Sequence, residues 1–476
     1  MSFRLSLGDC VAALGANLIS SAASSSDLIV SGVSIDTRTL KPGELYVAIQ
    51  GERFNGHDFI NAAIEAGASA VLVHQDVETS VPQLKVDDTL TALGALARHW
   101  ARRFGIPTIA ITGSNGKTTV KEITAAILRQ LGPVLATRGN LNNEVGVPLT
   151  LLEMREEHEY AVIEMGANHA GEIARLVAIA EPDVAIVNNV GTAHLEGFGS
   201  VAGIAQAKSE IYAGLKPDGY AVINADDAYA EFMRSAAGHC HQRSFGLADD
   251  ADIQGVPGAG FNFRTMGQMH SPRFSLNGDH NGMNALAAIA AVQCLDVQSE
   301  NIVRGLESVR SVPGRLEKKP GFNGATLIDD SYNANPDSAQ QAVNVLARYD
   351  GTRYLVLGDM AELGKDEESL HARVGAYARS RGLDGLWTAG TLSMHAQNAF
   401  QGMKPLAGSH CTDQTSLINE LKPMLEAGVT VLVKGSRSAR MERVVKGLMP
   451  VARSRTQDGE LTNDQVNGKQ ATELRS

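Results

Sequence analysis

The sequence contains no run approaching the roughly 18 consecutive apolar residues that a membrane-spanning helix needs. Its first residues, MSFRLSLGD, also lack the basic start and apolar core of a secretory signal. Both absences point to a cytoplasmic protein with no stable membrane insertion. An excess of positive charge is missing too. The formal net charge of -11 argues against a general polyanion binder and against nucleic acid as a partner, while leaving room for a local basic patch around a small phosphorylated ligand. Cysteine is sparse: Cys10, Cys240, Cys294 and Cys411 stand far apart without paired spacing, which suggests neither a disulfide framework nor a zinc site. Aromatic residues make up only 5% against 48 glycines, a balance that suits alternating strands and helices. At 476 residues the chain exceeds one ordinary core, and roughly 100 to 200 residues per domain predicts about three domains.

The stretch Ile106 to Thr119, IPTIAITGSNGKTT, organises the rest. A β-branched run breaks at Gly113, passes Ser114, Asn115 and Gly116, and reaches Lys117, Thr118 and Thr119 at a helix start. Val120, Ile123, Ile127 and Leu131 recur at helical spacing, predicting a helix from Lys117 to about Leu131. Its amino terminus directs unpaired N–H groups and the positive dipole end at the loop, where a phosphate would be stabilised. Lys117 would add a point charge to the outer phosphates, and the Thr118 hydroxyl would ligate a phosphate-bound magnesium ion. The pattern is incomplete, because Ile111 stands where the longer form has its first glycine. The plain alternative is a glycine-rich connection with a solvated lysine.

Before this stretch, residues 1–88 show short strands and turns, including LYVAIQG and SAVLVH with the helical FINAAIEAGA between them. A polar cluster near strand ends (Ser34, Asp36, Thr37, Arg38, Arg53, Asn55, His57) is either a ligand site or ordinary loop. Thr89 to Phe104 is a predicted helix leading into a second domain, 89–312. Within it, strands end at Glu164 and near Asn188, TRGNLNNEVGVP forms a loop, and the region from Ala248 to Phe274 is a β-rich excursion. Alternating strands and helices predict a mainly parallel sheet whose ligands collect beyond the strand carboxyl ends. Gly113, Glu164 and His194 all fall at or just after such ends. Glu164 and His194 are hard ligands suited to a nucleotide-bound magnesium, or else a salt-bridge partner and a loop histidine. Lys208 reads by default as a solvated helix lysine. Asn281 and Asn284, near the start of a helix, suit either a purine edge or a cap. A third α/β domain, 313–452, opens at VPGRL, with Asp330, Tyr332, Asn333, Asn335, Asp359, Glu362, Lys434, Ser436 and Arg437 just past its strands. Residues 453–476 read as a disordered tail.

TGSNGKTT, GNLNNEVGVP, VIEMGANHAGEI, AHLEGFGS, AKSEIY, HNGMNALAA, VPGRLE, DDSYNANP, GDMAELG and VKGSRSARME occur in this order between about Ser34 and Met449. The chain thereby resembles the Mur ligases of bacterial peptidoglycan synthesis. That family also tolerates the short phosphate loop. The D-N-P-R motif of its diaminopimelate-adding member is absent, while GNLNN, DDSYNANP and GDMAELG resemble the member that adds D-alanyl-D-alanine.

The resemblance implies an α/β enzyme of three domains: a small N-terminal domain for the uridine diphosphate end of the substrate, a central P-loop ATPase-type parallel sheet, and a C-terminal Rossmann-like domain. Its reaction would be ATP-dependent joining of D-Ala-D-Ala to UDP-N-acetylmuramoyl-tripeptide through an acyl phosphate, with Mg2+ as cofactor and a monomeric enzyme. It implies that Gly113 to Thr119 hold the ATP phosphates, with Lys117 catalytic. Thr118 and Glu164 would serve one magnesium, and His194 with a carbamylated Lys208 a second. Asn281 and Asn284 would lie near adenine, Arg315 would reach phosphate, and Asp330 ribose. Ser34, Thr37 and Arg38 fall to the sugar-nucleotide side, Asn140, Asn142 and Asn143 to the muramoyl peptide, and Tyr332, Asn333 and Asn335 to substrate. A sister amide ligase and a non-catalytic nucleotide switch are the alternatives.

Overall fold

The computed structural model describes residues 3–19, 25–51, 54–401 and 406–450. Arg53 and the stretch Arg453 to Ser476 lie outside the described residues. Two compact units are present. The first comprises Met1–Val312 with Asn335–Gln341 and Ala361–Leu370, and the second comprises the remainder from Pro313 onward.

Among the described residues the N-terminal part of the first unit holds a five-stranded sheet in the order Asn17–Ile19, Gln83–Lys85, Ala70–Val73, Leu45–Val47, Val33–Ser34, parallel except for its first pair. The helix Thr89–Ala101 follows, capped by Asp88, whose carboxylate accepts from the Leu90 and Thr91 N–H groups at 3.2 and 3.0 Å. Leu93, Leu96, Ala97 and Trp100 form its buried face. On its outer side Arg98 and Arg102 both grip Glu181, whose carboxyl they hold down at about 2.

The larger layer is a nine-stranded sheet among the described residues. Within it lies β1 (Thr108–Thr112), buried at every position. α1 (Lys117–Leu128) follows it. β2 (Tyr160–Glu164) pairs parallel to one side of β1, and β3 (Val184–Val187) to the other. The order therefore reverses about β1, so the loop after β1 opens at a topological switch point. The β-rich excursion supplies the outer strands Ile253–Gly255, Phe263–Thr265 and Gln268–His270, the last two antiparallel.

α1 ends three residues before Leu131, which is exposed at 38%. Gly132 and Pro133 come next, and a residue preceding proline is driven out of the helical region, so a turn replaces the last stretch of expected helix. Two further helices bear on this layer: α2 (Val201–Ala213) and the alanine-rich α3 (Asp279–Gln293). Helix Ser299–Ser308 approaches α1 so closely that a Cβ at Gly305 would collide with the Ile127 backbone.

Among the described residues of the second unit six strands run in the order Glu317–Pro320, Thr326–Asp330, Val429–Lys434, Thr352–Gly358, Gly385–Ala389, His410–Cys411. All pairs but the first are parallel. The architecture is thus α/β with parallel sheets, as the alternation of strand and helix patterns predicts. Among the described residues, no helix is long and apolar enough to cross a membrane.

Candidate active site

Ile111 is fully buried, in a core shared with Val120, Ile123 and Ile127 of α1. A glycine there would leave a void, and the chain turns only at Gly113 (φ 151°) and Gly116 (φ 81°). Gly116 is the residue before α1, and a Cβ on it would fall against Asn284 Oδ1 and 2.5 Å from Asn188 Nδ2. Lys117 folds back, donating from Nζ to the Gly113 carbonyl at 2.7 Å. Thr118 and Thr119 are buried beside it.

Asparagine side chains hold the loop in place. Asn115 N–H donates to Asn189 Oδ1 at 2.8 Å, while its carbonyl accepts from Asn188 Nδ2 at 2.9 Å and Asn189 Nδ2 at 3.1 Å. Asn188 Nδ2 also donates to Asn284 Oδ1 at 2.8 Å, Asn284 Nδ2 to Asn281 Oδ1 at 3.1 Å, and Asn281 Nδ2 to the Asn277 carbonyl at 2.7 Å. Asn281 and Asn284 are therefore buried links between α3 and the loop. The Ser114 hydroxyl exchanges hydrogen bonds with Gly191. Also within the first unit, Asn335 Nδ2 donates to Asn115 Oδ1 at 2.8 Å. Asn188 and Asn189 are loop-shaping residues that the sequence reading missed; their place at the end of β3 is the signal that could have found them.

Glu164, at the end of β2, is 2% exposed. Its Oε1 accepts from Asn142 Nδ2 at 2.8 Å, whereas Oε2 is buried with no hydrogen-bond partner. A buried carboxylate oxygen lacking a donor fits a divalent cation. Among the described residues no three His, Cys, Asp or Glu side chains cluster closely enough to hold a metal by themselves, so hydroxyl and ligand oxygens would complete any such site.

Lys208, on α2, is 1% exposed, which overturns its reading as a solvated lysine. Burial drives its pKa well below the usual lysine range, and the Lys117 ammonium adds to the effect. Both act to keep its amine neutral. His194 takes a left-handed backbone (φ 61°) and pairs through Nδ1 with Glu362, holding that carboxyl below its ordinary range. It thus engages Glu362 rather than Glu164 or Lys208.

In the five-stranded sheet, the buried Ser34 hydroxyl bonds both backbone groups of Asp36, and the Arg38 guanidinium grips the Asp36 carboxylate. Arg38 holds that carboxyl at about 2 while remaining 86% exposed itself. Thr37 lies between them, half-buried. Asn140 and Asn143 are exposed. Asn143 Oδ1 accepts from Gly146 N–H at 2.9 Å, at the start of helix Gly146–Leu152.

In the second unit Arg315 stacks 4.3 Å above the Tyr332 ring. Asp330 accepts from Leu316 N–H at 3.2 Å and from Lys434 Nζ at 2.6 Å, and Lys434 also donates to the Asn333 carbonyl at 2.9 Å. Asp330 is therefore committed to a buried ion pair with Lys434. Asp359 accepts from the N–H groups of Thr391, Leu392 and Ser393, tying two strand-end loops together.

A glycine-turned loop feeding a helix amino terminus at a switch point, with a lysine over it and a buried carboxylate on the adjacent strand, defines a phosphate-binding protein of the P-loop kind. Comparison with known proteins refines this class. Residues 29–101 match the Mur ligase family catalytic domain, 111–292 the Mur ligase middle domain, and 314–437 the Mur ligase glutamate ligase domain.

The UDP-N-acetylmuramoyl-tripeptide–D-alanyl-D-alanine ligase of Escherichia coli (strain K12) is 44% identical, covering 89% of this chain and 94% of its own. The ligase of that name from Haemophilus influenzae is 40% identical over 88% and 93%. Among solved structures, MurF from Acinetobacter baumannii superposes with a TM-score of 0.87 at 34% identity, covering 94% of this chain and 99% of its own. MurF ligase from Thermotoga maritima, in complex with ADP, gives 0.78 at 29% identity, covering 87% and 96%. The chain belongs to the Mur ligase family.

Proposed function

We propose that the protein is an ATP-dependent ligase joining D-alanyl-D-alanine to UDP-N-acetylmuramoyl-tripeptide, giving the UDP-muramoyl-pentapeptide precursor of peptidoglycan. The observation that carries this reading is the 44% identity, over nearly the whole chain, to a ligase whose name states that reaction. The site supports it chemically. A carboxylate is a poor electrophile, because its oxide leaves badly and its charge repels nucleophiles. Phosphorylation removes both faults: the peptide carboxylate attacks the terminal phosphorus of ATP, and ADP leaves. The dipeptide amine then attacks the acyl carbon, loses a proton, and expels phosphate.

Two anions must meet for the first step, so positive charge has to be concentrated there. Lys117 and the amino terminus of α1 supply it from the protein. Thr118 and Glu164 are assigned to one magnesium ion, and His194 and Lys208 to a second. Bound magnesium neutralises phosphate charge and polarises a phosphoryl oxygen. The burial that disfavours the charged form of Lys208 suits carbamylation: its neutral amine nitrogen adds to the carbon of CO2 and loses a proton, giving an anionic carbamate whose oxygens can ligate a metal.

We assign Asn281 and Asn284 to the neighbourhood of adenine, Arg315 to phosphate and Asp330 to ribose. Ser34, Thr37 and Arg38 are assigned to the uridine diphosphate, Asn140, Asn142 and Asn143 to the muramoyl peptide, and Tyr332, Asn333 and Asn335 to substrate. We assign residues 1–88, 89–312 and 313–452 to the corresponding domains of a cytoplasmic monomer, with the segments Asn335–Gln341 and Ala361–Leu370 of the last belonging to the first compact unit. Phosphate release from ATP tests the reading, with UDP-N-acetylmuramoyl-tripeptide and D-Ala-D-Ala, diaminopimelate, lysine or no acceptor. Release with D-Ala-D-Ala alone and a new amide product are expected. Release with another acceptor assigns the chain to a sister ligase, and no release with any acceptor refutes ligation.

A further inference from the structure

One buried cation of the first unit has no part in the reaction proposed above. Lys121 lies one helical turn beyond Lys117 on α1 and is 2% exposed. Burying an ammonium is unfavourable unless its protons find acceptors. Here Nζ donates to the Thr137 carbonyl at 2.6 Å and to Glu122 at 2.8 Å.

Thr137 is held at two further points: its N–H donates to the Val162 carbonyl at 3.1 Å, and its hydroxyl accepts from Glu164 N–H at 2.9 Å. Beyond Thr137 the chain leaves the sheet for the asparagine-rich loop. In that loop the Asn142 carbonyl accepts from Gly166 N–H at 2.8 Å, and the Asn142 side chain reaches Glu164 Oε1. The middle of the loop is thus tied to the segment carrying Glu164. Its near end is tied to α1 by the Lys121 ammonium.

We infer that Lys121 is a positioning residue: through Thr137 it sets the 138–143 loop and the Glu164 carboxylate relative to the phosphate-binding end of α1. Lys117 and Lys121 share one rigid helix, so a displacement of the loop changes the distance between its asparagines and the nucleotide phosphates. The role rests on the proposed function, in which that loop meets the muramoyl peptide. Loss of Lys121 is therefore expected to weaken the muramoyl nucleotide selectively and leave ATP bound as before.

The test uses the full-length enzyme. Lys121→Met keeps the side-chain volume and removes the donor, Thr137→Val removes the hydroxyl, and Thr137→Ser keeps it. Lys121→Met and Thr137→Val should each raise KM for UDP-N-acetylmuramoyl-tripeptide about tenfold, as the loss of one buried hydrogen bond allows. KM for ATP should stay within about twofold, because uniform loss of active enzyme changes kcat and not one KM. Calorimetric titration with the muramoyl nucleotide, without ATP, should weaken by the same factor as its KM. Thr137→Ser should restore wild-type values, and the double variant should fall short of the product of the single effects, since both act through one chain of contacts.

Unchanged muramoyl-nucleotide binding in the variants, or a fall in kcat alone that tracks thermal stability, overturns the positioning role. Should Lys121→Met fail to fold, Lys121→Leu, which also lacks the donor to the Thr137 carbonyl, decides the question by the same KM and titration readouts. A wild-type enzyme that binds the muramoyl nucleotide without ligating D-Ala-D-Ala refutes the proposed function, while the titrations still decide the role of Lys121. A wild type that does not bind it refutes both.

Discussion

Replacing Gly116 by alanine separates backbone strain from collision at the phosphate loop. The residue sits at φ 81°, where a side chain costs about 1–2 kcal/mol. Its new methyl would also meet Asn284 Oδ1 and lie 2.5 Å from Asn188 Nδ2, disrupting an amide pair that bonds at 2.8 Å. Breaking one buried hydrogen bond adds about 1–2 kcal/mol. The sum is about 3 kcal/mol, which corresponds to roughly a hundredfold in a binding constant if the loop moves to relieve the clash. Gly105 is the control: it has φ 59° and no atom within 4 Å of the place a methyl would take, so Gly105→Ala incurs strain alone. Calorimetric ADP binding and thermal unfolding of both variants provide the readout. Gly116→Ala should lose most of its ADP affinity, and Gly105→Ala should lose about 1 kcal/mol of stability with normal ADP binding. Equal ADP affinity in the two variants would refute the view that Asn188 and Asn284 fix the loop through Gly116.

Lys117→Ala removes the charge that the proposed function assigns to the outer phosphates and should lower turnover at least about a hundredfold; near-normal turnover would show that the phosphates bind elsewhere. Lys208→Ala should lose activity and regain part of it with added short-chain carboxylic acids standing in for a carbamate, and an absence of rescue would count against carbamylation. Glu181 titrates at about 2 because Arg102 and Arg98 donate to it. A lowered folded-state pKa stabilises the protein above the unfolded value and loses that contribution as the pH falls. Urea unfolding should therefore show stability declining between pH 4.5 and about 2, with a shallower decline in Glu181→Gln. Identical slopes would mean that the Arg98–Glu181–Arg102 cluster contributes nothing measurable.

Local order in the chain was sufficient to reveal the alternating architecture and the strand ends. The run to Thr112, the glycines after it and the spacing of Val120, Ile123 and Ile127 specify strand, turn and helix through interactions within a few residues, and the structure contains β1 and α1 accordingly. The same holds for the strand ending at Glu164, because a buried parallel strand needs a continuous apolar run and the first acidic residue marks its exit. Motif order along the chain was enough to identify the family, since ten segments in register are a property of sequence alone.

Tertiary structure alone decided which polar side chains are committed to one another. Lys208, Lys121 and Lys216 look alike as helix or loop lysines, yet two are buried and Lys216 is exposed, because burial depends on which elements pack over α1 and α2. Asn188 and Asn284 lie 96 residues apart and meet only because β3 and α3 converge at Gly116. The pairing of Asp330 with Lys434 likewise joins two strands that are adjacent in the sheet and distant in the chain. Hydrophobic periodicity records which face of an element is buried, but the partner across that face is set by topology, so residues that fold the phosphate loop into shape become visible only once the sheet is assembled.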